Sequence, residues 1–501
     1  MKRLIISIFV LALAIFAPTT LRANEINVTI DGTSVDFAGQ PPVMIQGRTL
    51  VPIRGVFESL GFDVDWHQAA QTAILTRADY TILITIGSAT FTTNGASHDL
   101  DVPAQIIGGR TMLPIRAVLE SANYAVDWNS VTHTVVIDSV AREALIVPRM
   151  TSTIAAGTQA SFIIRPDGAL WAWGENSNGQ LGDGTTNRRY NPVEITDNLL
   201  AVTTGNMQVA AIRQNGDLLT WGTGHSGQIG DGYNQRRFSP TMVMENVAYV
   251  SSGLDHHIAI TTDGRLWAWG GNSQGQLGDG TTEVRLRPTW IMDDVVAVSA
   301  GWSYTMAIRA DGSLWAWGGN RWGNLGDGTQ IDRHRPVRIK ENVRAVSAGN
   351  LHTMAITTDN ALWAWGDNSS GQFGNGTRTS EARPVWIMGN VSMVSTCASH
   401  AMAITTNNVL WTWGYNGSGQ LGDGTTTDRL TPVAIMDNTI YISTAGGGWA
   451  ADRHSWLGHS LAIRTDGSLW GWGGNIWGQL GVQGISFVER PTLITENVML
   501  P

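Results

Sequence analysis

A short core, Leu362-Trp363-Ala364-Trp365-Gly366, followed by Asn368 and by Gly371-Gln372-Phe373-Gly374, returns along this chain at a fixed interval. The second tryptophan of each copy is Trp173, Trp221, Trp269, Trp317, Trp365, Trp413 and Trp472; the first five steps are 48 residues (221 − 173) and the last is 59 (472 − 413). Seven copies at one spacing mean one small unit repeated, and such a unit cannot bury its apolar face alone. Each copy reads as four short strands. In the fifth they are residues 345–349, 352–356, 362–365 and 383–387, with a tight turn at Asp359-Asn360 or, in other copies, Asp-Gly (Asp263-Gly264, Asp311-Gly312, Asp466-Gly467). Those dipeptides suit a two-residue hairpin. The third strand is apolar on both alternating faces, so it needs cover on both sides. Four-stranded sheets stacked around an axis supply that cover. The spacing therefore predicts a mainly β chain with a seven-bladed β-propeller over residues 151–501.

The 58 glycines and 22 tryptophans of the 501-residue chain follow from these repeats. Residues 1–23 stand apart: Lys2-Arg3, an apolar run over 4–17, and a small residue at Ala23. This is the pattern of a secretory signal peptide, which predicts a secreted protein, extracellular or associated with the cell envelope. No second hydrophobic segment follows, so no membrane span is expected after cleavage. Cys397 is the only cysteine, which excludes an intrachain disulfide. It fills a slot that is glycine at Gly205, Gly253, Gly301 and Gly349, and reads as a small buried residue. The net charge is −9, and removing Lys2, Arg3 and Arg22 leaves 29 basic against 41 acidic residues, or −12. That balance argues against nucleic acid.

Residues 24–141 carry a duplication of their own. Gly47-Arg48-Thr49-Leu50-Val51-Pro52-Ile53-Arg54 returns as Gly109-Arg110-Thr111-Met112-Leu113-Pro114-Ile115-Arg116, offset by 62 (110 − 48), and Val64-Asp65-Trp66 returns as Val126-Asp127-Trp128. Residues 53–60 and 115–122 are predicted short helices, with Arg54/Glu58 and Arg116/Glu120 four apart and able to pair. With Leu100-Asp101-Val102-Pro103, these blocks resemble the copper amine oxidase N-terminal-like domain, a stalk-type module, over residues 26–138. The resemblance implies a small α+β interaction or spacer module. It brings no copper chemistry, because His67, His98 and His133 lack close ligand spacing. Residues 142–150 read as a connector.

The pattern L-W-A-W-G-x-N-x-x-G-Q-L-G-D-G-T-T, preceded by A-G-x-x-H-T-x-A-I, resembles the regulator of chromosome condensation repeat. The resemblance implies a seven-bladed propeller whose partners vary widely across the family. Nucleotide exchange, the activity of the eukaryotic namesake, is not implied for an exported, acidic chain. Some secreted bacterial members bind proteins.

The loops after strands one and three leave a four-stranded meander on the same side. The strand-three loop holds a variable pair, Arg321-Trp322 in the fourth copy and Ile476-Trp477 in the seventh. The strand-one loop carries Trp302 and Tyr304 in the fourth copy, and in the seventh it carries 11 additional residues (59 − 48) that include Trp449, Asp452, Arg453 and Trp456. Insertions in repeats map to loops, often on the binding face, and Trp, Tyr and Arg are frequent interface anchors. Trp302, Tyr304, Arg321, Trp322, Trp449, Asp452, Arg453, Trp456 and Trp477 form the candidate ligand face, for a protein or a cell-envelope glycan. The competing reading is that Trp322 and Trp477 plug loops against adjacent blades.

Other signals resolve into structure. Gly271-Asn272-Ser273-Gln274-Gly275 fits G-x-S-x-G, but a nucleophile elbow needs a strand-to-helix turn. His256, His352, His400 and His459 share one slot with Gln208, Tyr304 and Ala160, one per blade, and read as buried hydrogen-bonding groups. Asp183, Asp231, Asp279, Asp327 and Asp423, with Asn375 in the fifth copy, suit turns. Arg189, Arg237, Arg285, Arg333 and Arg429 recur three residues before proline and are expected to bond between blades. No catalytic, metal or cofactor residue is expected. The function read from these features is non-catalytic binding; a purely structural envelope component and a polysaccharide-acting enzyme, which needs paired carboxylates in the axial pocket, are the alternatives.

Overall fold

The computed structural model describes residues 26–37, 39–45, 47–77, 80–122, 124–129, 132–138, 147, 150–446, 458–482, 484–496 and 498–500. The leader-like segment 1–23 lies outside the described residues. The chain divides into two compact units, Met1–Ala144 and Leu145–Pro501.

In the first unit the duplication becomes a local twofold. Strands Arg48–Pro52 and Arg110–Pro114 pair antiparallel with Val51 opposite Leu113, its own counterpart 62 residues on. Val43–Ile45 and Gln105–Ile107 flank this pair at the two edges. Helices α1 (Ile53–Ser59) and α2 (Ile115–Glu120) follow the central strands and bury Val56, Phe57, Val118 and Leu119 in one core. The next hairpin of each half is then extended differently. Asp63–His67 and Thr72–Arg77 continue into a five-stranded antiparallel sheet, whereas Thr134–Asp138 accepts Asn27–Ile30 as a parallel neighbour. The predicted helix pairs also differ: Arg116 lies 4.0 Å from Glu120, but among the described residues Arg54 and Glu58 form no ion pair.

Among the described residues, the second unit holds seven four-stranded sheets, each made of consecutive strands. In the fifth the strands are Val343–Ala348, His352–Thr357, Leu362–Gly366 and Glu381–Met388, and Asn360 takes the left-handed turn conformation at φ +64°. The second tryptophan of the core is fully buried in every copy. Its indole N–H donates to a backbone carbonyl of the preceding sheet: Trp221 to Gln180 at 3.0 Å, Trp365 to Asn324 at 2.9 Å, and Trp173 of the first sheet to Gln479 of the last at 2.9 Å. That last bond closes the ring. A buried indole N–H without an acceptor is costly, so each sheet is complete only beside the one before it.

The two ends of the unit finish the closure. Val498 N–H bonds Gly467 O, and Met499 N–H bonds Ile164 O, at the place where the inner strand of the first sheet would begin. Val147 and Met150, in the stretch read as a connector, donate to Thr262 O and Ala248 O of the third sheet. They pack into the apolar clusters there.

The recurrent arginines differ from expectation. Each bonds within its own sheet, to the turn aspartate six residues earlier: Arg285 Nε and Nη2 reach Asp279 Oδ2 at 2.8 and 2.6 Å. The first, second, fourth and sixth sheets repeat this pair. Asp279 Oδ1 meanwhile accepts the Thr281 N–H and hydroxyl to close the turn. Both guanidinium nitrogens converge on one carboxylate oxygen, so the charge-assisted pair forms within the sheet. In the fifth sheet Asn375 and Glu381 occupy the two positions, and both partners are absent together.

Candidate ligand face of the ring

Loops after the first and third strands do share one side. In the fourth sheet Trp302, Tyr304, Arg321 and Trp322 line one cavity of ≈230 Å³, completed by Asn350 and Leu351 of the fifth. Trp322 is 40% exposed, Arg321 is exposed, and Trp302 is half-buried. The Trp302 carbonyl accepts Leu254 N–H of the third sheet at 3.2 Å, which anchors its loop. Two indoles, a guanidinium and the apolar Leu351 thus line one cavity.

Tyr304 corrects the reading that put it on the surface. It is 1% exposed. Its hydroxyl donates to His352 O at 2.6 Å and lies 2.9 Å from Thr353 Oγ1, and burial pushes the phenol pKa up. Tyr304 occupies the slot that histidine fills elsewhere, so its hydroxyl bridges two sheets.

The sequence reading missed a second feature of this loop. In most sheets a glutamine side chain braces the strand-three loop by accepting a backbone N–H two residues earlier, as Gln276 Oε1 does from Gln274 at 2.9 Å. The fourth sheet has Asn324 instead. Its shorter side chain donates to Gly319 O at 2.7 Å and leaves the Trp322 turn without that brace. The signal was present as Gly323-Asn324-Leu325-Gly326 where other copies read Gly-Gln.

Trp477 stands in the matching loop of the last sheet but in different surroundings. Arg188 of the first sheet lies over its ring, 4.5 Å from the centroid, and is held by Glu175 at 2.8 Å. Burial opposes ionisation of Glu175, and the hydrogen bonds from Arg188 and Ser177 outweigh it and hold the carboxyl below its usual range. Trp449, Asp452, Arg453 and Trp456 lie outside the described residues. Their flanks are placed: a Cβ on Gly446 would sit 2.8 Å from Gly458 Cα, so the insertion leaves and returns at one point. Gly446 also lines the small axial mouth, ≈120 Å³, with Cys397.

That mouth explains the glycine slot. A Cβ on Gly205 would meet Gly253 O at 2.0 Å, and one on Gly349 would meet Cys397 O at 2.3 Å. Cys397 is buried with Sγ 3.0 Å from His400 Nδ1, and burial pushes its thiol pKa up, away from a reactive thiolate. The histidines of the shared slot are buried, which drives His256, His400 and His459 down to about 3 and His352 to about 4. Three of them, His256, His400 and His459, bond a hydroxyl of the next sheet, as His400 Nε2 does with Ser460 at 3.0 Å and His459 Nε2 with Ser161 at 3.0 Å. The residue at that position after His352 is Ala401, and neither ring nitrogen of His352 has a partner. Among the described residues, no group of three or more His, Cys, Asp or Glu side chains is placed to hold a metal ion, and no helix is long and apolar enough to cross a membrane.

Two kinds of family model match the chain. The one for the copper amine oxidase N-terminal domain matches residues 29–137. The one for the regulator of chromosome condensation (RCC1) repeat matches 167–212, 215–260, 263–308, 311–356, 359–404 and 407–449, and a second model of that repeat adds 152–180. No curated protein sequence matches. Among solved structures, the chain is similar to Prp20p from Saccharomyces cerevisiae, studied for its binding to Gsp1p and histones, at 16% identity and TM-score 0.58, covering 70% of this chain and 88% of that one. Yeast RCC1 (Prp20) bound to Kap60 gives 17%, 0.58, 72% and 91%, and human WBSCR16 gives 21%, 0.53, 59% and 85%. At these identities the likeness carries the fold.

Proposed function

This chain belongs to the regulator of chromosome condensation (RCC1) repeat family, and on that premise we propose that it is an exported, non-catalytic binding protein that captures a protein partner on the loop face of its ring. The observation that carries this reading is the cavity between the fourth and fifth sheets, where Trp302, Arg321 and Trp322 converge. Aromatic and arginine anchors in a partly desolvated pocket are the usual centre of a protein interface. The binding of Gsp1p and histones studied for Prp20p supports a protein rather than a glycan at this face. The segment that carries Trp449 and Trp456 is bounded by Gly446, which lines the axial mouth, and by Gly458; its tryptophans serve the same capture role. The leader-like segment supports a place outside the cell or at its envelope.

The test is capture from envelope and culture-medium proteins by the full chain as exported, compared with Trp322→Ala, Arg321→Ala and the pair Trp449→Ala/Trp456→Ala. The expected result is a discrete protein retained by the parent chain and lost from these variants at unchanged melting temperature. Retention by all three variants, or a large fall in melting temperature with capture intact, overturns the reading.

A further inference from the structure

The first unit holds a cavity of ≈720 Å³, larger than the two ring cavities described above and within the range of small-molecule sites. One wall is α1 and the strand Asp63–His67; the other includes Ile106 and Arg110 from the second copy of the duplication. Two aromatic side chains, Phe37 and Trp66, line it. Trp66 is half-buried against the apolar core, and its indole N–H donates to Gln68 Oε1 at 2.8 Å, which holds the ring at the cavity wall. Phe37 is seated directly on α1: a Cβ on Gly55 would lie 2.8 Å from Phe37 Cδ1. Glycine within a helix costs about 1 kcal/mol relative to alanine. The second copy has Ala117 at this position, so the weaker helix former stands only where the ring needs the space.

Around these rings are Asp36, Arg54, Glu58 and Asp65, all exposed and all lining the cavity. Among the described residues, none of these four side chains makes a hydrogen bond or ion pair. The duplicate of Arg54 and Glu58 behaves differently, since Arg116 lies within 4.0 Å of Glu120. Charged groups in a concave site without internal partners keep their full hydrogen-bonding capacity for a ligand.

We propose that this cavity is a carbohydrate site that takes a neutral oligosaccharide. A pyranose ring has an apolar C–H face, which packs on an aromatic ring, and a rim of hydroxyls. Adjacent hydroxyls donate to a carboxylate such as Glu58 or Asp65 and accept from a guanidinium such as Arg54. Carboxylates and guanidinium groups share the rim, so a polyanion meets Asp36, Glu58 and Asp65, and a polycation meets Arg54 and Arg110. A hydroxyl-rich neutral ligand restores the bonds that the charged groups lose on desolvation and adds no like charge. The site is lined wholly by residues of the first unit.

The experiment is titration calorimetry of the full exported chain with the β-1,4-linked hexamers of N-acetylglucosamine, glucose and mannose. Saturable binding of at least one hexamer is expected, weakened ten-fold or more by Trp66→Ala and several-fold by Arg54→Met and by Glu58→Gln. The last two lie on the exposed face of α1 and leave the melting temperature unchanged, so they decide the case if Trp66→Ala fails to fold. Trp322→Ala leaves sugar affinity unchanged, which separates this site from the ring. The proposal is overturned if no hexamer binds saturably, if binding survives both helix variants at parent affinity, or if Trp66-dependent binders come from a random-peptide library while no sugar binds.

Discussion

Trp322 and Trp477 occupy the same position in the strand-three loop of two sheets, yet their surroundings differ. Trp477 lies beneath Arg188 of the neighbouring sheet, which Glu175 holds in place. Trp322 is 40% exposed beside a cavity, and its turn lacks the glutamine brace. Equivalent places in a repeat therefore do not have equivalent roles. The next sheet decides whether an indole closes a seam or faces solvent.

The comparison presumes an intact ring, and acid is its severest test. Five histidines (His256, His257, His352, His400 and His459) have pKa values driven by burial to about 3 or 4. The unfolded chain binds protons below about 6.5 that the folded ring refuses until near 3 or 4, so stability is complete above 6.5 and is lost as pH falls. Each group contributes up to about 1.4 kcal/mol per pH unit in that window. Melting temperature measured from pH 7 to pH 4.5 is expected to fall steeply; a flat profile refutes neutral burial of the slot.

Next in size is Trp317, which is fully buried in the sheet that carries Trp322 and donates to Gln276 O at 3.0 Å. Trp317→Ala is expected to cost about 3–5 kcal/mol in denaturant unfolding. A loss of about 1–2 kcal/mol is expected for Trp477→Ala or Arg188→Ala, through the cation–π contact and the hydrogen bonds to Glu175, with partner capture intact. Trp322→Ala is expected to shift stability by no more than about 0.5 kcal/mol while abolishing capture. If Trp322→Ala and Trp477→Ala prove equally destabilising and equally silent in capture, the distinction between the two loops fails.

Much of the fold was legible because it depends on period. The 48-residue spacing, the two-sided apolar third strand and the Asp-Gly turns each forced a four-stranded sheet needing neighbours. The side shared by Trp302 and Trp322 followed from meander topology. What escaped depended on partners far away in sequence or on choices between near neighbours. Tyr304 stood both in the histidine slot and in a loop, and only its bond to His352 O settled that it is buried. The arginines were assigned to the next blade because they recur, whereas Asp279 and its equivalents lie six residues away in the same sheet. The joint loss of both at Asn375 and Glu381 was the clue. In the first unit, identical spacing of Arg54/Glu58 and Arg116/Glu120 concealed that only the second pair is formed.

By itself the sequence determined the unit, the number of copies and the residues that must be buried, because period and alternation are local properties of a chain. Tertiary structure alone decided how the circle closes, with Trp173 bonded to Gln479 and Val498 set beside the first sheet. It also decided which indole is covered, since exposure depends on a neighbour brought close by folding rather than by position along the chain.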